Sequence, residues 1–227
     1  METKNKYFSV VFEDNHLIAV NKHPGMLVQG DSTGDIALVD LVKKYIKSKY
    51  HKPGEVFLGV IHRIDRPVSG LVIFARTSKA LSRMNELFRN EEIKKTYLAV
   101  CQGAPDKTRG VLENWMKKDS EKNKSFISKQ GIPDAKFAEL SYEVIAQDEK
   151  NSFLKIQPKT GRPHQIRLQL SNIRCPIIGD VKYGAKPIED PSTIYLHGLS
   201  AVFIHPVSKE SLFLEAPVPE TGYWCLF

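Results

Sequence analysis

Asp65 lies in the run His62-Arg63-Ile64-Asp65-Arg66-Pro67-Val68-Ser69-Gly70, between the apolar stretches Val56 to Ile61 and Leu71 to Ala75. Arginines on both sides hold such an acid ionised, and the break between two apolar runs presents it at a turn. A carboxylate so placed can act as nucleophile or general base, and the surrounding cations can hold a polyanion. The same composition also suits an ordinary surface turn with one exposed ion pair, worth about 0 to 1 kcal/mol. A second polar segment, Lys159-Thr160-Gly161-Arg162-Pro163-His164-Gln165-Ile166-Arg167, comes much later in the chain. Two such segments in one compact domain can meet at a single cleft, which favours a site over a turn.

The chain of 227 residues suits a single sheet-rich domain, and at 41% hydrophobic residues it has ample material for a core. No stretch approaches the roughly 18 to 20 apolar residues of a membrane helix, and Met1 to Lys6 is polar, unlike a signal peptide. A soluble, intracellular, cytoplasmic protein is expected. Cys101, Cys175 and Cys225 are odd in number and widely spaced, which suggests neither a disulfide framework nor a zinc site. The seven histidines form no metal-ligand pattern, so no metal is expected.

The net charge of +7 points to an anionic partner, and the positive charge is clustered. Lys43, Lys44, Lys47, Lys49 and Lys52 have no acid among them, and Lys117, Lys118, Lys122, Lys124 and Lys129 form a second, less pure group. Lysines that neutralise phosphates release counterions, so charge of this kind supports nucleic-acid binding that weakens with salt. A solvated helix face would account equally for the first cluster.

The elements that must position these residues follow from periodicity. Alternation predicts strands over Tyr7 to Glu13 and Leu17 to Asn21, joined as a hairpin, with loops at Lys22 to Gly25 and Gly30 to Gly34. Helical spacing of Leu38, Val39, Leu41, Val42, Tyr45 and Ile46 predicts a helix with Asp35 as its N-cap. A strand over Val56 to Ile61 leads into the Asp65 turn, and Leu71 to Ala75 leaves it. Thr77-Ser78 caps a second helix, running to about Glu91. Further strands are expected at Thr96 to Cys101, Gly110 to Trp115, Phe137 to Ala146 and Phe153 to Gln157. The polar segment Lys117 to Asp134 reads as a mobile excursion. His164 to Ser171 predicts a short helix whose amino end faces an anion, and Gly179 to Gly184 a turn. Tyr195 to Pro206 and Ser211 to Ala216 form a last strand pair. The economical reading is one α+β domain over residues 1–227, built on a largely antiparallel sheet.

Segments spread over nearly the whole chain resemble the RluA family of pseudouridine synthases, which takes its name from an enzyme of large ribosomal RNA. They are Leu17 to Gly25, His62 to Gly70, Lys95-Thr96-Tyr97-Leu98-Ala99-Val100, Thr160 to Arg167, Pro176 to Gly184, and Leu196-His197-Gly198 to His205-Pro206. Two positions depart from that pattern. The family usually has threonine where Val68 stands, and threonine or serine at Pro163, so loop hydrogen bonds or substrate preference are in question there. Some relatives carry an added amino-terminal S4-type RNA-binding domain; with a strand beginning at Tyr7, none is expected here.

The resemblance implies the pseudouridine synthase fold, a mixed and mainly antiparallel sheet with flanking helices and a central catalytic cleft. It implies an RNA-modifying isomerase that needs no cofactor or metal, acting as a monomer on ribosomal RNA, transfer RNA or both. Asp65 would be the nucleophile, attacking the uridine at C1′ of the sugar or C6 of the base. Tyr97 would lie against the uracil and help remove the C5 proton, and Arg167 would pair with Asp65. Arg63 would enter the space left by the extruded base. Arg66, Arg162, His164, Gln165 and Ile178 complete the expected substrate contacts, Ile178 (or Ile177) as an apolar wall opposite Tyr97. His62, His164 and His197 each suit a structural hydrogen bond better than catalysis.

Two rivals bear on the reading. A glycosidase-like hydrolase would need a second acid roughly 5 to 10 Å from the first, and only Asp180, which reads as a turn residue, accompanies the cationic segments. An RNA-binding module or folding chaperone could keep the fold without catalysis, against which stand the intact Asp65, Tyr97 and Arg167.

Overall fold

The computed structural model describes residues 6–31 and 34–226; two positions of the expected loop Gly30 to Gly34, most of the polar amino terminus and the last residue lie outside it. The chain divides into two compact units, one formed by Met1–Ile93 with Gly198–Pro217 and the other by Lys94–His197 with Val218–Phe227.

In the first unit β1 (Phe8–Glu13) and β2 (Leu17–Lys22) form the expected hairpin. Its turn is set by Asp14, whose Oδ1 accepts from the amides of His16 (2.7 Å) and Leu17 (2.6 Å). After α1 (Leu38–Lys49) and the two-residue β3 (Gly59–Val60), β4 (Ser69–Ala75) pairs antiparallel with β2, Lys22 opposite Gly70. Following α2 (Ser78–Arg89), the next strands of this unit are the later β10 (Leu196–Ile204, from Gly198 on) and β11 (Ser211–Glu215). The order is β1-β2-β4-β10, with β11 on β10 and β3 on β4.

Both β2 and β4 are buried along their whole length, so alternate residues feed two layers. Leu17, Ala19, Leu71 and Ile73 pack with Ala80 and Met84 of α2 and with Phe203 and Leu214. The residues between them, among them Ile18, Val20, Val72 and Phe74, are equally enclosed, as are Leu38, Val42 and Ile46 of α1.

Helix α2 begins as expected, Thr77 Oγ1 accepting from the Ala80 amide at 3.1 Å. Helix α1 does not. Its N-cap is Ala37, with no side-chain bond, because the carbonyls of Leu27 and Val28 take the amides of Leu38 (2.8 Å) and Val39 (3.1 Å). These first-turn donors would otherwise need a cap, and Asp35 is left for another partner. The expected strand Val56 to Ile61 shrinks to Gly59–Val60 for a similar reason. β2 occupies one edge of β4 along Gly70–Ala75, so β3 and β10 share the other and only Phe74 and Ala75 remain for β3.

The second unit is an antiparallel sheet of β5 (Lys94–Gln102), β6 (Arg109–Asp119), β7 (Lys124–Ser128), β8 (Lys136–Gln147) and β9 (Asn151–Pro158), in the order β5-β9-β8-β6-β7. Helix α3 (Gln165–Asn172) lies against it. Gln169 Nε2 donates to the Leu112 carbonyl and to Asn114 Oδ1, both at 2.9 Å, and Leu168 packs with Met116, Ala138 and Tyr183.

The segment Lys117 to Asp134 is not the free excursion expected. Lys117–Asp119 extends β6, Lys124–Ser128 returns as β7, and the hairpin is stapled to the rest of its unit. The Ser125 amide donates to Tyr183 Oη (2.9 Å), Ser125 Oγ to the Pro163 carbonyl (2.7 Å) and Lys182 Nζ to the Asn123 carbonyl (3.0 Å). Lysine-rich composition describes what the hairpin shows to solvent, whereas its position is set by the few residues that face inward.

Candidate active site

In the first unit, the turn carrying Asp65 is closed by the Val68 amide on the Asp65 carbonyl (3.1 Å) and anchored by Ile64 and Val68, both buried. Between these anchors Asp65 is half-buried, and Arg63 is exposed. Val68, where the family pattern has threonine, is 2% exposed.

The turn is clipped to the loop after β2. The Arg66 carbonyl accepts from the Gly25 amide (2.9 Å) and from Lys22 Nζ (3.1 Å). The Arg66 side chain returns the contact, Nε to the Gly25 carbonyl (3.0 Å), while its Nη1 pairs with Asp35 Oδ2 at 2.7 Å. Asp35, expected as a helix cap, is therefore the ion partner of an arginine expected to contact substrate.

Lys22 is among the largest side chains with no exposure in the described residues. Its Nζ donates to three backbone carbonyls, of Met26 (2.9 Å), His23 (3.0 Å) and Arg66 (3.1 Å). Its ammonium is drawn down to about 7, chiefly by burial, with the neighbouring Asp65 pulling it up and Arg66 pushing it down. A lysine ending a mostly apolar strand, two residues before Pro24-Gly25, is the signal that could have singled it out.

Two further positions fix the framework of this turn. Gly70 has φ 116°, and a Cβ there would sit 2.4 Å from the backbone of Gly198, so only glycine permits this approach of β4 and β10. His62 Nε2 accepts from the Ile73 amide (3.0 Å), and its ring stacks on Phe88 at 5.1 Å, a structural role as expected.

In the second unit Tyr97 stands on β5 opposite Ile156 of β9 and is half-exposed. Arg167 is buried on α3 and held bidentately by Asp180, Nε to Oδ2 at 2.6 Å and Nη2 to Oδ1 at 2.8 Å. Asp180 is 1% exposed, so the residue that reads as a turn former is the partner of a buried guanidinium. Tyr183 lies 5.2 Å from that guanidinium, and its hydroxyl meets His164 Nδ1 at 2.8 Å. A buried charge must be paired, which is the rule that could have matched Arg167 with Asp180.

The remaining expected contacts are engaged within this unit. Arg162 Nε donates to the Phe137 carbonyl (2.7 Å). Gln165 is buried, its Oε1 accepting from Thr160 Oγ1 (2.8 Å) and the Arg162 amide (3.0 Å), its Nε2 donating to the Glu139 carbonyl (3.0 Å). Ile178 is 2% exposed, its amide bound to the Val100 carbonyl at 2.9 Å. His197 is fully buried beside Trp224. Two surface hollows of this unit, one at Arg109, Tyr142 and Lys155 and one at Ile188, Tyr195 and Tyr223, contain none of the expected residues.

The profile of the family described as RNA pseudouridylate synthase matches residues 16–172, a span that includes Lys22, Asp65, Tyr97 and Arg167. The chain belongs to the RNA pseudouridylate synthase family. Among similar members, "Ribosomal large subunit pseudouridine synthase C" of Rickettsia bellii is 34% identical over 215 residues, covering 92% of this chain and 68% of the relative. The protein of that name from Buchnera aphidicola subsp. Baizongia pistaciae is 30% identical over 217 residues, with 92% and 66% covered. The chain thus spans about two thirds of the length of these ribosomal relatives. It matches more of "tRNA pseudouridine synthase C" of Vibrio cholerae, at 30% identity over 229 residues, 93% of this chain and 91% of the relative.

A solved structure of human RNA pseudouridylate synthase domain containing 4 superposes with TM-score 0.78 at 23% identity, covering 93% of this chain and 89% of that one. The α+β pseudouridine synthase fold expected for this family member is thereby established. No helix among its described residues is long and apolar enough to cross a membrane.

Proposed function

We propose that the chain converts uridine to pseudouridine within RNA, with Asp65 as the nucleophile. The observation that carries the proposal is the presentation of Asp65, a half-buried carboxylate on a turn whose backbone is clipped by Gly25 and Lys22, inside the span matched by the family. Attack at C1′ or at C6 of the uridine splits one difficult substitution into two easier ones. The bond from the Asp65 carboxylate forms and is later broken, the N1–C1′ bond breaks, the C5–C1′ bond forms, the C5 proton leaves and N1 takes one up. Nothing is consumed, so the reaction asks only for positioned side chains and a base drawn out of its stack, at a cost of a few kcal/mol.

Tyr97 and Arg167 serve the same reaction, Tyr97 by offering a half-exposed ring to the uracil and Arg167 as a guanidinium whose plane Asp180 holds fixed. Arg63 is exposed and suited to enter RNA where the base has left. The relatives' names point to ribosomal or transfer RNA as the substrate class. The exposed lysines of α1, Lys44 and Lys47 among them, add attraction for phosphates.

Mapping pseudouridines by carbodiimide-dependent reverse-transcription stops, in total RNA with and without the gene, tests the proposal. At least one stop should vanish without the gene, return with the wild-type gene and stay absent with Asp65→Ala, which should still bind RNA. Identical maps, or full restoration by Asp65→Ala, would overturn it.

A further inference from the structure

We propose that the outer face of the β6–β7 hairpin is a stacking platform for unpaired bases of the RNA, with Trp115 and Phe126 as its rings and the hairpin's lysines as its phosphate contacts. The inference rests on the reading of RNA as substrate and deepens it by naming what this unit holds, single-stranded nucleotides beside the target uridine.

Strand register places the rings. Asn114 and Met116 of β6 face α3, the first accepting from Gln169 Nε2 and the second packing with Leu168. Glu113, Trp115 and Lys117 alternate with them and so face away from that helix. Trp115 stands level with Phe137 of β8 and Ser128 of β7, and Lys117 with Phe126 of β7. Residues paired in this way share a face, which puts Phe137 and Phe126 on the outer side too. The rings of Trp115 and Phe137 meet at 5.9 Å and 62°, and Phe126 is 40% exposed, with Lys124 Nζ 5.8 Å from its centroid. On the inner side Ser125 is bound through both its amide and its hydroxyl. The hairpin is thus fixed beforehand, and little ordering is left to be done on binding.

Charge selects the partner. Residues 117–129 hold five lysines against two acids, Asp119 and Glu121. Asp119 is turned to the Lys122 amide at 3.0 Å, and Glu139, on the outer side of β8, is held by Lys159 Nζ at 2.9 Å. Glu113 lies beyond Trp115, on the side away from Lys117. Lysine is depleted where proteins dock on one another, whereas aromatic rings set among lysines hold single-stranded nucleic acid base by base. A duplex keeps its base faces stacked inside and offers such rings nothing. Helix α3, which carries Arg167, lies on the opposite face of the sheet, so the bases taken here are neighbours of the target and not the target itself.

The experiment uses the full chain and reads the fluorescence anisotropy of a labelled oligouridylate and of a blunt RNA duplex of equal length, with thermal unfolding of each variant. Wild type should bind the oligouridylate, and Phe126→Ala should bind it about 10-fold more weakly, the scale of one lost base stack, with duplex affinity unchanged. Phe126→Tyr, which keeps an aromatic face, should match wild type; Phe126→Leu, which keeps only apolar area, should fall with Phe126→Ala. Trp115→Ala should lose as much as Phe126→Ala; if it fails to fold, the variants of the exposed Phe126 decide alone. Lys117→Gln should flatten the slope of log affinity against log salt by about 0.7, which Phe126→Ala leaves as it is. No oligouridylate binding by wild type, wild-type affinity in Phe126→Ala, full affinity in Phe126→Leu, equal losses on the duplex, or an unchanged slope in Lys117→Gln overturns the inference. The two readings fail separately. Wild-type affinity in Phe126→Ala beside a pseudouridine lost with the gene removes the platform and leaves the isomerase, whereas identical pseudouridine maps beside a weakened Phe126→Ala remove the isomerase and leave the platform.

Discussion

Two buried cations, one in each unit, are held in opposite ways. Lys22 donates to three neutral carbonyls, so its charge is solvated without being cancelled. Arg167 is gripped by the carboxylate of Asp180, which neutralises it at short range and fixes its plane. A carbonyl cage leaves a lysine able to act on a neighbouring group and to lose its proton, because a carbonyl dipole stabilises an ammonium less than a full counter-charge does. A bidentate carboxylate gives a guanidinium that is always charged and rigidly aimed. The first arrangement suits a responsive charge, the second a permanent one.

The largest effect should come from breaking the second arrangement. Asp180→Ala leaves Arg167 charged, buried and without its carboxylate, at a cost of about 3–5 kcal/mol in urea unfolding. A loss below about 1 kcal/mol would mean that the pair contributes little and the contrast with Lys22 fails.

An intermediate effect should mark the first arrangement. Folding lowers the proton affinity of Lys22 from the ordinary lysine range to about 7. Between those values the unfolded chain binds more protons, so this residue's contribution to stability rises with pH there and is level below about 7. Wild type should therefore gain about 1–3 kcal/mol relative to Lys22→Met between about pH 7 and about pH 9. Parallel stability curves for the two proteins would show that Lys22 does not titrate in that window.

The smallest effect belongs to the exposed pair between them in sequence. Arg66 and Asp35 are both 48% exposed in their side chains, and Asp35→Ala should cost no more than about 1 kcal/mol, less in high salt. A larger loss would mean that Arg66 fixes the turn through this contact, which would shift part of the positioning away from Lys22.

Much of this was legible before folding. The strand that leaves Asp65 announced itself as a short apolar run and the one that carries Tyr97 by its spacing and turns, α2 by Thr77 and its apolar stripe, and the catalytic candidates by their motifs. What was misread shares one cause. Asp35 looked like a cap because acids cap helices, but the carbonyls of Leu27 and Val28, earlier in the preceding loop, reached the amides first. Lys117 to Asp134 looked loose because it is charged, but Ser125 is held through Tyr183 and Pro163. Asp180 does stand in the expected turn, its carbonyl accepting from the amides of Tyr183 (3.0 Å) and Ala185 (3.1 Å), but that its carboxylate meets an arginine from α3 was not legible. For Asp35 and for Lys117 to Asp134 local propensity, worth a fraction of a kcal/mol to about 1 kcal/mol, gave way to other partners, whereas Asp180 kept its turn and gained one.

The amino-acid order by itself determined most of the segments that become strands and helices, and it determined the family, because periodicity and motif spacing are properties of the chain read in one dimension. Only the tertiary structure decided which charges are buried and what surrounds them. A lysine reads the same whether water or three carbonyls collect around its nitrogen, and an aspartate reads the same in an open turn or against a guanidinium; burial and partner choice arise when distant segments close on one another.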